Sequence, residues 1–237
     1  MLKKTIAAFL FLTIFTLVCA HDVQTDRSRF ADEALFTAML DEGRHREECT
    51  LLAEGEYIIS AYDAIIRDIS EPEGNDWRFI SAIAYHESRF RHDVVSDRGA
   101  QGLMQIMPVV ARQFEVPDDS ITDLRTNIWL ANKLLGKIRR TFRFPLDYAD
   151  EDRMRIVLAC YNGGIGHVSD ARRLAGSNGE DPDAWEVVSH YLALMDDPAY
   201  YEHEAVRCGR FTGSRQTVAF VEGVMSRYRR YCSLTQR

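Results

Sequence analysis

Glu87 is the residue whose type and position in the sequence most directly indicate chemistry. It continues an apolar stripe of Trp77, Ile80 and Ala84 at spacings of three and four residues, so a helix would turn it toward the core. It also falls in the last turn of that helix, where the negative end of the helix dipole opposes a further negative charge. Both effects favour the protonated carboxyl and raise its pKa, as a general acid working near neutral pH requires.

The neighbours of Glu87 leave a plainer interpretation open. Its carboxylate could face solvent at the helix end or pair with Arg89 or Arg91, and for a glutamate at such a position these are the more common outcomes. A zinc peptidase is excluded, because the position four residues after His86 is Phe90 and the two-histidine metal face does not form.

The elements that must position Glu87 are predicted to be helices joined by loops. Asp76 is a suitable N-cap for the helix that carries Glu87, and Gly102 marks a loop after it. A later helix is stopped by Asn162-Gly163-Gly164. Further helices are predicted near residues 57–71, 108–114, 128–142, 165–175, 184–195 and 215–232. The predicted fold class is therefore mainly α, with at most a small hairpin near residues 91–103.

Three sequence motifs contain the candidate residues. The first includes Glu87-Ser88, the second ends in Gly102-Leu103-Met104-Gln105-Ile106-Met107-Pro108, and the third is Ala159-Cys160-Tyr161-Asn162-Gly163-Gly164. In this order and at these separations the motifs resemble those of the catalytic domain of soluble lytic transglycosylases. The resemblance covers about residues 57–232. Its C-terminal part is similar to the catalytic part of the membrane-bound, F-type members of that family.

The resemblance implies a goose-lysozyme-like, α+β lysozyme-like fold and an enzyme that acts on peptidoglycan glycan strands. Such an enzyme is a lytic murein transglycosylase, a carbon–oxygen lyase that cleaves the β-1,4 bond between N-acetylmuramic acid and N-acetylglucosamine and closes a 1,6-anhydro ring. By position, Glu87 matches the single catalytic acid and base, and no metal or cofactor is implied. The residues that match the substrate cleft of the family are Ser88, Ser96, Gln105, Met107, Tyr161 and Asn162.

Two other functions remain open for the same chain. A muramidase-type hydrolase needs a second carboxylate to activate water, roughly 6.5–9.5 Å from the acid. Of the two loop acids near Glu87, Asp93 and Asp97, the better candidate is Asp97. A non-catalytic peptidoglycan-binding protein would use the cleft without the chemistry, although the intact Glu87 argues against it.

Residues 1–20 have the features of a secretory signal peptide. Two lysines precede an apolar run that ends at Val18-Cys19-Ala20. We therefore expect export to the periplasm and cell envelope, with cleavage at the end of this segment. Residues 21–56 are predicted to form an N-terminal extension of one short helix and a linker, and residues 57–237 the catalytic domain. The alternative is a lipoprotein signal, in which a lipid on Cys19 associates the protein with the outer membrane.

Charge and composition exclude several kinds of partner. The chain has 36 acidic against 29 basic residues and a formal net charge of −7. Nucleic-acid binders usually show the opposite balance, because phosphate contacts dominate their affinity, so no nucleic acid is expected. No run of about 20 apolar residues follows the signal segment, so the mature chain is predicted to have no transmembrane helix. We expect a monomer.

Export also places the cysteines of the mature chain in an oxidising compartment. Cys160 lies in an apolar helical run, where a small buried thiol that stays reduced is expected. Four cysteines allow three pairings, and the sequence alone does not choose among them. With Cys160 set aside, we predict a disulfide between Cys208 and Cys232.

The cleavage site makes the first testable prediction. The mature protein should begin at His21, because the small residue at the end of the segment is the cleavage signal. Intact-mass measurement of protein purified from cells, together with N-terminal sequencing, checks this. A diacylated N-terminal Cys19 would contradict it.

Overall fold

Helices make up most of the regular structure that a computed structural model describes, which covers residues 59–145 and 147–235. Their bounds are α1 Asp63–Ser70, α2 Trp77–Ser88, α3 Pro108–Gln113, α4 Leu124–Phe142, α5 Glu151–Gly163, α6 Ile165–Ser177, α7 Trp185–Leu194, α8 Pro198–Tyr201 and α9 Ser214–Thr235, with a 3₁₀ turn at Asp118–Ser120. The predicted signal peptide and N-terminal extension lie outside the described residues. The prediction of a mainly α protein is confirmed.

Aspartate caps define where several of these helices begin. The carboxylates of Asp76, Asp123 and Asp150 accept hydrogen bonds from backbone N–H groups two or three residues later, at the starts of α2, α4 and α5. Such caps satisfy donors that the first turn leaves unpaired. The cap predicted at Asp76 is confirmed, and so is the stop after α5, where Gly164 has a φ of 92°.

The predicted small hairpin is present in a minimal form. Val95 pairs with Gln101, and Gln101 pairs with Ile106, both as antiparallel single-residue bridges. No longer strand forms within residues 59–145 and 147–235. The segment from Val95 to Ile106 is therefore a compact loop of three short extended pieces rather than a sheet.

The helix that carries Glu87 lies at the centre of the core. Nine of the twelve residues of α2 are buried. The long C-terminal helix α9 packs beside it in the opposite direction, since Arg78 bonds to Thr235 near one end while His86 meets Gly223 near the other. A Cβ on Gly223 would lie 2.5 Å from the His86 ring, so the absence of a side chain there allows the two helices to approach closely.

A buried polar network fixes the other end of α2. The side chain of Asn75 donates to Asn132 Oδ1 at 2.7 Å and accepts from Arg139 and Tyr148 at 2.7 and 3.2 Å. Asn132 in turn donates to Ser70 Oγ at 3.2 Å. Buried polar atoms are tolerated when they are bonded in this way, and the network ties α1 and α4 to the start of α2.

The predicted disulfide between Cys208 and Cys232 is wrong, because neither thiol is bonded to another cysteine. Cys208 lies against Gly166 in the first turn of α6, close to where Asn162 bonds to Thr217 near the start of α9. Cys232 lies 15 residues beyond Thr217 on α9, about 22 Å along the helix axis. Disulfide bonding requires Cα atoms within about 7 Å. Cys160 is buried and unbonded, as predicted.

The described part of the chain offers neither a membrane span nor a metal cluster. No helix in residues 59–145 and 147–235 is both long and apolar enough to cross a bilayer. The same residues contain no group of three or more histidine, cysteine, aspartate or glutamate side chains arranged to hold a metal ion.

The placement of the three thiols predicts their order of reactivity. Iodoacetamide should modify the exposed Cys208 first, then the half-buried Cys232, and the buried Cys160 only on unfolding. Burial raises the pKa of all three thiols, so the reactions should be slow at pH 7 and faster at pH 9. Timed alkylation followed by peptide mapping measures the order. A peptide pair linked through Cys208 and Cys232 in a non-reduced digest would contradict it.

Candidate active site

Glu87 occupies the last turn of α2, and the chain turns sharply after it. Arg89 and Phe90 both have left-handed backbone conformations, with φ of 54° and 58°. Two successive left-handed residues other than glycine are uncommon, and each costs of order 1–3 kcal/mol. This strained turn directs the following loop back across the end of the helix.

Hydrogen bonds from two helices hold that loop against the end of α2. Ser88 Oγ donates to Leu103 O at 2.8 Å or to Ala84 O at 3.1 Å, and the Tyr161 hydroxyl donates to Met104 O at 2.7 Å. Ser88 is only 2% exposed. Its buried hydroxyl therefore fastens the loop to the helix, and the substrate-binding role of Ser88 stays a prediction.

A third anchor of the loop, Asn127 on α4, was not among the residues selected from the sequence. Its side chain accepts from Met104 N at 2.7 Å and donates to Gln101 O and Ile121 O, each at 2.9 Å. The sequence does carry a signal for Asn127. It lies on the buried stripe of α4 that continues through Ala131 and Leu134, where a polar residue needs hydrogen-bond partners.

The carboxyl of Glu87 is half-buried, and its pKa is strongly shifted. Burial raises the pKa of Glu87 to about 8, since the surrounding protein atoms desolvate the carboxyl. No residue in the described chain donates a hydrogen bond to it or pairs with its charge. The pKa of Tyr161 is also raised, first by burial and then by the negative charge of Glu87, which places the two groups in one electrostatic environment.

Three further candidates lie on the same loop as Met104. Ser96 Oγ accepts from Ala100 N at 2.9 Å and shapes the turn beside it. Gln105 has a left-handed φ of 48°, and its side-chain amide donates to Gly102 O at 2.9 Å. Met107 is half-buried and is the residue that precedes α3. All three are partly accessible, so the loop can present polar and apolar surface to a ligand.

Asn162 approaches the site from the end of α5, one residue after Tyr161. Its Oδ1 accepts from Thr217 Oγ1 at 3.0 Å, which joins α5 to α9. Its amide donors make no hydrogen bond to any described residue, so they are available to a ligand. Asp97, the candidate second carboxylate, lies on the exposed turn between Ser96 and Gly99, without a hydrogen bond or an ion pair to the described residues.

The structure therefore brings the candidates to one end of α2. A protonated carboxyl, two side-chain amides and a phenol form a site suited to proton transfer on a polar, uncharged substrate.

The raised pKa of Glu87 predicts a pH-dependent cost to stability. Between the usual value of 4.5 and about 8, the folded state retains a proton that the unfolded state has released, so stability falls as pH rises through this range. Glutamine has no proton to lose. Glu87→Gln should match the unmodified protein at pH 4 and be more stable by about 2–4 kcal/mol at pH 8, since one pKa unit corresponds to about 1.4 kcal/mol.

Urea unfolding of both proteins at pH 4, 6 and 8 measures this difference. The comparison at pH 4, where both side chains are uncharged, is the internal control. A stability difference that stays constant from pH 5 to pH 8 would show that the carboxyl is not desolvated.

Comparison with known proteins gives the site a family context. Residues 64–183 match the family described as the transglycosylase SLT domain. Membrane-bound lytic murein transglycosylase F of Marinobacter nauticus is 31% identical over 179 residues, which are 76% of this chain and 34% of the relative. The protein of the same name from Alcanivorax borkumensis is 34% identical over 170 residues, which are 70% of this chain and 34% of the relative.

The solved structure of lytic transglycosylase Slt from Pseudomonas aeruginosa, an inactive mutant, is 22% identical with a TM-score of 0.49, over 78% of this chain and 26% of that one. The chain spans about a third of the length of the two curated relatives, 34% in each case. The family match includes Glu87 and both other motifs, which confirms the resemblance found in the sequence. The chain belongs to the transglycosylase SLT domain family.

Proposed function

We propose that the chain is a lytic murein transglycosylase, which cleaves the β-1,4 bond between N-acetylmuramic acid and N-acetylglucosamine in peptidoglycan and forms 1,6-anhydro-N-acetylmuramic acid. The observation that carries the proposal is the Glu87 carboxyl, half-buried, without a described partner and with a pKa of about 8. Membership of the SLT domain family and the names of the two relatives support the same reaction.

Glu87 acts first as a general acid. With a pKa of about 8, roughly nine-tenths of the carboxyls carry a proton at pH 7. The proton passes to the glycosidic oxygen as the bond between that oxygen and the anomeric carbon breaks. The acetamido oxygen of the substrate stabilises the positive charge that develops on the anomeric carbon, as in other substrate-assisted glycosidases.

The same side chain then acts as a base. The carboxylate takes the proton of the muramoyl 6-hydroxyl while that oxygen forms a bond to the anomeric carbon. One carbon–oxygen bond is broken and one is formed, no water is consumed, and Glu87 ends protonated as it began. A single carboxyl therefore suffices, and its two protonation states are close in free energy because its pKa lies near the working pH.

The remaining candidates are proposed as contacts to the N-acetyl sugars. Asn162 offers amide donors, and Ser96 and Gln105 offer hydroxyl and carbonyl groups on the loop. Met107 supplies an adaptable apolar wall. Tyr161 donates its own proton to Met104 O, so toward a substrate or Glu87 its oxygen serves as an acceptor.

We also propose that residues 57–237 form the catalytic domain and that the protein acts in the cell envelope after loss of residues 1–20. The basic and apolar pattern of that segment supports export. The relatives named as membrane-bound support an envelope location. A lipid on Cys19 is the alternative to a free periplasmic protein.

The decisive experiment compares Glu87→Gln with Asp97→Asn on purified peptidoglycan. Glu87→Gln should lose at least the 10²–10⁴-fold that general acid–base catalysis typically contributes, since an amide can neither give nor accept the proton. Asp97→Asn should retain most of the activity, because ring closure needs no activated water. Mass spectrometry of the products should find 1,6-anhydromuramoyl ends, one water lighter than the hydrolysed ends.

Each alternative has its own outcome in this experiment. Reducing muramic acid ends together with an inactive Asp97→Asn variant would assign the chain as a muramidase-type hydrolase. Binding of glycan strands by the unmodified protein without any product would assign it as a non-catalytic binding protein.

A further inference from the structure

Asn127 is a buried polar residue in an apolar setting. It is 1% exposed, on the core-facing stripe of α4. An amide in such a place destabilises the fold unless its polar atoms are bonded. All three hydrogen bonds of the Asn127 side chain go to backbone groups, and two of them go to the loop beside Glu87, at Gln101 O and Met104 N. The Asn127 side chain is therefore bonded to irregular backbone and not to its own helix.

The loop lies directly on this amide. Gly102 has a φ of 76°, a left-handed conformation that favours glycine. A Cβ on Gly102 would lie 2.6–2.9 Å from the nitrogen, carbon and oxygen of the Asn127 amide. Gly102 and Asn127 therefore fit each other closely. A displacement of the Asn127 side chain or of the Gly102 backbone would move the loop.

The hydrogen bond between Asn127 and Met104 lies next to the bond between Met104 and Tyr161, so it affects the geometry of the site. The backbone N–H of Met104 donates to Asn127 Oδ1 at 2.7 Å, and the carbonyl of Met104 accepts from the Tyr161 hydroxyl at 2.7 Å. The next residue, Gln105, bonds through its side chain to Gly102 O. Asn127 and Tyr161 thus hold the same residue, Met104, and the side chain of Gln105 rests on backbone that they fix.

We infer that Asn127 is a positioning residue, which holds residues 101–105 at the distance from Glu87 that the reaction requires. The inference rests on the proposed function for its link to catalysis, and on the hydrogen bonds to Gln101 O and Met104 N for the position of the loop. In well-organised sites a misplacement of about 1 Å can cost about 10²-fold in rate, and that is the size of effect expected when the loop is released.

The same helix provides a matched control in Asn132. It is also 1% exposed and also bonded through three contacts, to Asn75, Ser70 Oγ and Ile128 O. Its partners lie at the start of α2 and on α1, away from the loop. Loss of Asn132 removes a buried network of similar size without touching residues 101–105.

The experiment compares Asn127→Ala with Asn132→Ala in the full mature protein. Both variants should unfold at a lower urea concentration than the unmodified protein. Asn127→Ala should lower kcat by about 10²-fold with little change in KM, whereas Asn132→Ala should stay within about threefold of the unmodified protein. If either alanine variant fails to fold, the near-isosteric pair Asn127→Asp and Asn132→Asp replaces it, since aspartate keeps the shape and removes the two donated bonds.

Amide hydrogen exchange at Met104 gives a second readout that needs no enzyme activity. The exchange should accelerate at least tenfold more in Asn127→Ala than in Asn132→Ala, because the Met104 N–H loses its acceptor. Equal losses of kcat in the two variants, or unchanged Met104 exchange in Asn127→Ala, would overturn the inference. Absence of 1,6-anhydro product from the unmodified protein would instead overturn the proposed function, and the exchange comparison would still decide whether Asn127 holds the loop.

Discussion

The carboxyl of Glu87 opposes folding whenever it ionises, because burial removes water and no described residue replaces it with a hydrogen bond or a positive charge. A counter-ion would remove this cost, but it would also return the pKa toward its usual range and make the group a poor acid. The rest of the site must therefore fix the carboxyl by packing alone. The central position of α2, with nine of its twelve residues buried, provides that rigidity.

The loop beside Glu87 presents the opposite problem. It is irregular, it contains the left-handed residues Gly102 and Gln105, and it forms only two single-residue bridges of its own. Loops of this kind are usually the mobile parts of a protein. Here three helices supply the bonds that a sheet would otherwise supply, through Ser88, Tyr161 and Asn127. The ionised carboxyl of Glu87 has no partner among the described residues, whereas the backbone groups of the neighbouring loop are hydrogen-bonded. These two features together make a rigid but reactive site.

Sequence patterns predicted the parts of this structure that depend on local rules. The cap at Asp76 and the stop at Gly164 are local, and the inward direction of Glu87 follows from helical periodicity. The patterns failed where a partner lies far along the chain. They did not find the acceptor of the Ser88 hydroxyl, Leu103 O, which lies 15 residues away. The disulfide prediction ignored the length of α9, which separates Cys232 from the part of the fold that holds Cys208.

The antiparallel packing of α2 against α9 has a consequence for the order in which the molecule forms. The hydrogen bond from Arg78 to Thr235 joins residues 157 positions apart, and Thr217 near the start of α9 completes the surroundings of Asn162. Contacts of such long sequence separation form late, since the chain entropy lost in closing the intervening loop must be offset by packing. The helix that carries Glu87 therefore gains its packing against α9 only after the last helix has been synthesised and has docked. A chain still emerging from the ribosome carries the acid without this packing.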